Sequence, residues 1–241
     1  MSLFSQEIVD FWKKPFADGE VLYEDQTLLL TVNPALGEDE RVTVLETVHG
    51  KVLVALTPEM AARANLSRQQ ELSEVIFRGK LDEAGIRLHG ADYLFYFRES
   101  ERAALAQESI DAARQLSQRD EAVFAAFQAA ATEQDLDDAY VELNHWAVFG
   151  AFEEECLVSA ASAYPWSGSK LADIGVLTLV PFRGRGHARK AVRALSRYAF
   201  GQGYEPQYRC QTDNLASTAL AKACGLTLFG KSQYVSPDST V

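Results

Sequence analysis

The 241-residue chain has little of what marks secreted, membrane-spanning or metal-clustered proteins. Its three cysteines, Cys156, Cys210 and Cys224, lie far apart and form no CxxC pair. That argues against a disulfide framework and against a thiolate metal site, so no metal ligands are assigned, and it favours a reducing compartment. No apolar run approaches the roughly 18 residues needed to cross a bilayer. Residues 1–16 are interrupted by Glu7, Asp10, Lys13 and Lys14 and lack the apolar core of a secretion signal, so a cytoplasmic location is expected. Net basic charge is absent as well: 34 acids against 23 bases leave −11, which argues against nucleic acid and anionic membranes as partners. What is present is ordinary, 47% apolar and 24% charged, which excludes wholesale disorder.

The average charge conceals a gradient. Residues 1–107 carry −7, residues 108–170 carry −9, and residues 171–241 carry +5. No acid stands between Asp173 and Glu205, whereas Arg183, Arg185, Arg189, Lys190, Arg193 and Arg197 all fall there. An acidic protein with a basic final third calls for a local explanation.

Residues 1–100 read as a smaller α+β domain. Residues 20–32 have the texture of strands, and residues 42–45 and 52–56 flank a turn at His49-Gly50-Lys51. Thr57-Pro58 opens a helix, residues 67–81 read as another, and residues 90–97 form an aromatic strand. Residues 98–106 are the expected linker. From residue 108 the pattern is helix, hairpin, strand, glycine-rich turn, helix, strand, helix, strands. Ser117 and Asp120 form a capping box ahead of a helix at 120–131. Residues 133–142 are an acidic helix-loop. Apolar runs at 146–151 and 157–164 make a hairpin with Glu153-Glu154-Glu155 as its solvated tip. The strand expected at 174–180 leads to a helix at 187–200, then come a strand at 207–212 and a helix at 215–224. Two terminal strands, 226–229 and 232–235, are separated by Gly230. This is an α/β protein with a mixed α+β sheet, divided at 1–100 and 108–235.

The segment that carries chemistry is Thr178-Leu179-Val180-Pro181-Phe182-Arg183-Gly184-Arg185-Gly186-His187-Ala188. A buried strand enters a glycine turn that opens onto an amphipathic helix. Glycines let backbone N–H groups approach an anion, and the helix N-terminus adds partial positive charge. The dinucleotide fingerprint would need glycine at Arg189, and the P-loop ending Gly-Lys-Ser/Thr is missing. The spacing Arg183-x-x-Gly186-x-Ala188 is instead an acyl-CoA signature. Here, and in Asn214 followed by a helix and then Gly225-Leu226, the chain resembles the GCN5-related N-acetyltransferase (GNAT) superfamily over roughly residues 108–235.

The resemblance implies a GNAT-like acyl-CoA N-acyltransferase fold, with a partly splayed sheet and helices on both faces. It implies acetyl-CoA as donor and the primary amine of a small molecule or peptide as acceptor. Arg183, Gly184, Arg185, Gly186, His187 and Ala188 would hold the pyrophosphate, with the backbone of His187 mattering more than its ring. Leu177, Thr178 and Leu179 would align the pantetheine arm, and the Leu179 N–H would stabilise the thioester oxyanion. Asn214 and Ser217 would contact CoA. Asp173, placed just before the strand, is the candidate base. The family's tyrosine acid falls on Ala221, a departure that leaves Tyr164 and Tyr234 as reserves. His145, beside Trp146, reads as strand packing. The same residues also fit a catalytically silent acyl-CoA-binding sensor. The N-terminal domain could complete the acceptor pocket, mediate a homodimer, or be a degenerate second copy of the fold.

Overall fold

The computed structural model describes residues 3–68, 71–108, 113–237 and 239. They form two compact units that interleave in sequence. The first comprises Val9–Leu94, Cys210–Asn214 and Leu228–Val241; the second comprises Met1–Ile8, Phe95–Arg209 and Leu215–Thr227.

The chain begins with α1 (Gln6–Ala17), then β1 (Glu20–Glu24), β2 (Leu28–Val32), β3 (Val42–Thr47) and β4 (Val52–Leu56). Thr57 caps α2 (Pro58–Arg63) by accepting from the Met60 N–H at 3.3 Å. Ser73 caps α3 (Glu74–Glu83) in the same way. Strand β5 follows at Asp92–Tyr96. The expected helix at 67–81 therefore starts later, because the chain holds its cap at Ser73; Gln69 and Gln70 lie outside the described residues.

In the first unit β1 pairs antiparallel with β2, β2 parallel with β4, and β4 antiparallel with β3. Near the end of the chain, strand β11 (Thr227–Tyr234) returns to this sheet and pairs antiparallel with β3. The sequence placed a break at Gly230, yet β11 runs through it. A Cβ there would sit 2.7 Å from the Glu46 carbonyl oxygen, so this glycine admits a close neighbouring strand rather than ending its own. Leu28, Leu30, Val54, Leu56, Phe77 and Leu81 are among the core side chains. Each contributes about 1.5–3 kcal/mol on burial.

The second unit holds α4 (Glu99–Ala106), β6 (Arg114–Gln115), α5 (Glu121–Ala129), α6 (Glu133–Ala139), β7 (Ala147–Glu153), β8 (Cys156–Pro165) and β9 (Leu171–Thr178). It continues with α7 (His187–Gly201), β10 (Glu205–Gln211) and α8 (Leu215–Ala223). The expected linker at 98–106 is α4, an alanine-rich helix with acids in its first turn and Leu105 buried. Strands β6 to β9 pair antiparallel in sequence order, and β10 adds to β9 in parallel. Helix α7 buries Ala191, Val192, Leu195 and Ala199 and packs on β7, β8 and β9. Helices α5 and α6 pack on β8 and β9, where Phe124, Phe127, Val148, Ala160 and Leu177 share a core. Among the described residues, no helix is long and apolar enough to cross a membrane.

Candidate active site

The site grows from β9. Its pairing with β8 continues from Ala172 to Thr178, but its pairing with β10 ends at Asp173, opposite Gln207. Beyond that point the two strands part. The Leu179 N–H donates to the Val158 carbonyl at 3.0 Å, which fixes the phase of the antiparallel ladder. Residues 173, 175, 177 and 179 turn their backbone groups toward β8, and Val176 and Thr178 turn theirs toward the edge that β10 has left. The Leu179 N–H, expected to meet the oxyanion, is thus spent inside the sheet. Leu177 and Leu179 are buried, and Thr178 is half-buried at the open edge.

A short 3-10 turn, Val180–Phe182, leads to Arg183. Strand β9 therefore ends two residues earlier than expected, and Asp173 lies within it rather than before it. Gly184 and Gly186 have φ of 77° and 82° with open space where a Cβ would stand, so backbone conformation, not crowding, calls for glycine. Gly186 caps α7 without a side-chain hydrogen bond, and the first turn of α7 has no acid. The N–H groups opening this 15-residue helix are free of side-chain caps, at the positive end of its dipole.

The two turn arginines already hold acids. Arg183 Nη2 meets Asp135 Oδ1 of α6 at 2.8 Å, and its Nε donates to the Thr178 carbonyl at 3.0 Å. Arg185 Nη1 meets Glu153 Oε2 at 3.1 Å, and His187 Nε2 meets Glu153 Oε1 at 2.8 Å. Glu153 is thus a ligand of the turn rather than part of a purely solvated hairpin tip. The His187 ring is buried, and its Nδ1 has no hydrogen-bond partner among the described residues. The Asp135 carboxyl is held below its ordinary value by Arg183, and that of Glu153 by His187 first and Arg185 second. A cleft of 350 Å³ runs from Arg185 and Gly186 along Arg189, Lys190, Arg193 and Arg197. Glu108 closes one side, bonding Arg193 Nε at 2.7 Å.

At the other end of β9, Asp173 is buried beneath four hydrogen bonds. Gln207 Nε2 and Arg209 Nε donate to Oδ1 at 2.8 and 3.0 Å; Arg209 Nη2 and the Tyr164 hydroxyl donate to Oδ2 at 2.8 and 3.2 Å. A carboxylate offers about four acceptor positions, and all are engaged. That arrangement orients Arg209 and Tyr164 and leaves no lone pair to receive a proton from an ammonium. Arg209 also stacks on Trp166, 3.8 Å from the ring centre.

Beside this network, Tyr140, His145 and Tyr164 form an aromatic group with ring centres 4.9 to 5.6 Å apart. Gly175 makes it possible: a Cβ there would lie 2.2 Å from the Ala139 carbonyl oxygen, so only glycine lets the end of α6 lie on β9. Tyr140 ends α6 in the left-handed region, at φ 45°.

Other expected residues are dispersed. Ser217 is half-buried in α8 of the second unit. Asn214 belongs to the first unit, just ahead of α8, with its N–H on the Gln211 carbonyl at 3.0 Å. Ala221 is fully buried and brings no proton. Tyr164 gives its proton to Asp173. Tyr234 ends β11 in the first unit, its carbonyl accepting from the His89 N–H at 2.9 Å. Reading along the chain missed Asp135, Glu153, Ser162, Trp166, Gln207 and Arg209. Two of them carried a local signal, Glu153 as an acid at a hairpin end and Asp135 as part of the acidic stretch at 133–142.

A mixed sheet whose parallel pair parts beside a glycine turn and an uncapped helix start is an arrangement of the acyltransferase type of α/β fold. The acetyltransferase (GNAT) family model matches residues 105–226, just over half of the chain, and the chain belongs to that family. Among solved structures it is similar to an acetyltransferase from the GNAT family of Colwellia psychrerythraea. That match has 20% identity and a TM-score of 0.51, and covers 76% of this chain and 75% of that one. A functionally unknown conserved protein from Staphylococcus epidermidis ATCC 12228 matches at 13% identity and TM-score 0.47, covering 93% and 96% of the two chains. A GCN5-related N-acetyltransferase-like protein from Streptococcus suis 89/1591 matches at 16% identity and TM-score 0.43, covering 67% and 68%. Identities this low concern the fold alone. No curated protein matches the chain.

Proposed function

We propose that this protein is a cytoplasmic N-acetyltransferase that moves the acetyl group of acetyl-CoA to the primary amine of a small molecule or peptide. Residues 108–235 would carry the chemistry, and residues 1–100 would serve the acceptor or a homodimer contact. The observation that carries this reading is two open sets of backbone donors, one on either side of a 3-10 turn whose own Phe182 and Arg183 N–H groups are spent on the Leu179 and Val180 carbonyls. The open edge of β9 at Val176 and Thr178 leads through Gly184 and Gly186 to the uncapped start of α7.

In this reading the amides from Gly184 to Ala188 hold the pyrophosphate together with the Arg183 and Arg185 side chains, which exchange Asp135 and Glu153 for it. The Asn214 and Ser217 side chains would add CoA contacts. The pantetheine amides pair with the β9 edge beside Leu177, Thr178 and Leu179. Ladder alternation moves the oxyanion contact from Leu179 to the N–H of Val176 or Thr178, where donors fixed in advance stabilise charge as it develops. Asp173 acts as a positioning residue through Arg209 and Tyr164. The thiolate takes its proton from water, since position 221 is a buried methyl group.

A thiol-release assay with acetyl-CoA against a panel of primary amines tests this. Amine-dependent release is expected. The buried Ala221 favours a second reading, a silent acyl-CoA-binding sensor, which would give acetyl-CoA binding without release for any amine.

A further inference from the structure

His145 lies just ahead of β7, and its Nδ1 is 2.8 Å from the Ser162 hydroxyl of β8. Ser162 is fully buried, and its oxygen also accepts from the Glu142 N–H at 3.4 Å. One ring nitrogen is thereby anchored to the sheet. The edges and faces of the ring meet Tyr140 and Tyr164, at 4.9 and 5.1 Å between centres. Tyr140 is 55% exposed, so the group opens to solvent on that side.

Two of the non-glycine residues with positive φ lie at this group: Tyr140 itself at 45°, and Ser167 at 47°, whose neighbour Trp166 has its ring centre 6.4 Å from that of Tyr164. Left-handed backbone at non-glycine residues costs about 1–3 kcal/mol and gathers at functional sites. The group also adjoins the open edge of β9. The Tyr140 carbonyl oxygen lies 3.0 Å from where a Gly175 Cβ would be, and Gly175 precedes Val176 directly.

We propose that this aromatic group receives the acceptor's ammonium and that His145 Nε2 is the general base that deprotonates it, with Ser162 as its positioning residue. The inference rests on the acyl-transfer reading and supplies the base that Asp173 does not. The faces of Tyr140 and Tyr164 attract the cation through their ring quadrupoles. Nε2 then takes one proton from the ammonium, giving imidazolium and a neutral amine. The amine lone pair forms the C–N bond at the thioester carbonyl carbon, and the C–S bond breaks. The nitrogen's second proton passes to the departing thiolate through water, and His145 returns its own to solvent. One ammonium and one thioester thus become one amide, one thiol and one released proton.

The groups facing His145 fit this role. Burial pushes its imidazole below the usual value and keeps it neutral near pH 7, against a smaller opposing effect of Glu142 on its own turn. Tyr140 approaches from the end of α6, and Tyr164 from β8 with Asp173 and Arg209 behind it. Burial raises the Tyr164 hydroxyl to about 12, so it stays neutral and is not a competing base.

The test pairs calorimetric binding of acetyl-CoA with thiol release across pH, using 2-phenylethylamine and putrescine as probe amines. The wild type, His145→Gln and Ser162→Ala are compared. His145→Gln is expected to bind acetyl-CoA as the wild type does and to lose at least about 100-fold in kcat/KM. It should also lose the bend on the acid side of the pH profile and recover rate as alkaline pH supplies free amine. Ser162→Ala should keep that bend at a displaced pH. A His145→Gln enzyme with wild-type rate and profile overturns the proposal. So does a wild type that binds acetyl-CoA but acetylates neither amine. Failure of the wild type to bind acetyl-CoA instead overturns the donor reading itself.

Discussion

The two ends of β9 are built on opposite principles. At its start, the Asp173 carboxylate is buried and every lone pair is engaged by Tyr164, Gln207 and Arg209. At its end, the strand edge has no partner strand among the described residues, two glycines expose their backbone, and α7 begins without a side-chain cap. Both ends are rich in polar groups, so polarity alone does not mark a site. Satisfied polar groups hold the frame, and binding capacity collects where donors are left open. Asp173 therefore belongs to the frame, and the Gly184–Gly186 turn is the end left open.

Removing Asp173 should do the most damage to this contrast. Asp173→Ala leaves Arg209, whose side chain is 19% exposed, without its carboxylate. Unpairing a buried ion pair predicts a loss of about 3 kcal/mol in urea unfolding. An unchanged midpoint would mean that the network is not structural. Gly175→Ala ranks next, because its Cβ would meet the Ala139 carbonyl oxygen at 2.2 Å. About 2 kcal/mol should be lost as α6 moves off β9, visible as a lower Tm.

Gly186→Ala probes the open end. The added methyl meets nothing, so only the left-handed φ of 82° is penalised, by about 1 kcal/mol. Acetyl-CoA affinity should nonetheless fall at least tenfold by calorimetry, because the substitution displaces the amides proposed to hold the pyrophosphate. A large stability loss with intact binding would reverse the assignment of the two ends.

The smallest effects concern the ion pairs at the turn. Arg185→Ala, and likewise Arg183→Ala, should weaken acetyl-CoA binding severalfold, and more at low salt, where screening is weak. Glu153→Gln should tighten it severalfold at neutral pH, by releasing Arg185 and His187. The Glu153 carboxyl is held below its ordinary 4.5, so the wild-type competition is complete above that value and lost as pH falls through the depressed one. The advantage of Glu153→Gln should disappear in the same window.

The glycine turn was legible in the sequence because its information is local: Arg183, Gly184, Arg185, Gly186 and the helix behind them are contiguous. The α7 face and the Ser117–Asp120 capping box were legible for the same reason. The Asp173 network was not, because Gln207 and Arg209 stand 34 and 36 residues away and only the parallel pairing of β9 with β10 brings them in. Glu153 read as a solvated tip because its partners, Arg185 and His187, are more than thirty residues downstream. Gly230 and the segment at 98–106 misled for a different reason. Glycine serves close approach as well as chain breaks, and an alanine-rich charged segment forms a helix as readily as a linker.

The central claim is that the open edge of β9 and the uncapped start of α7 form one acyl-CoA site. Calorimetric titration of acetyl-CoA into the wild type and Gly186→Ala tests it most directly. Saturable one-site binding by the wild type, weakened by added salt and at least tenfold by the substitution, is the predicted result. Absence of binding at millimolar acetyl-CoA, or equal affinity in both proteins, would contradict it.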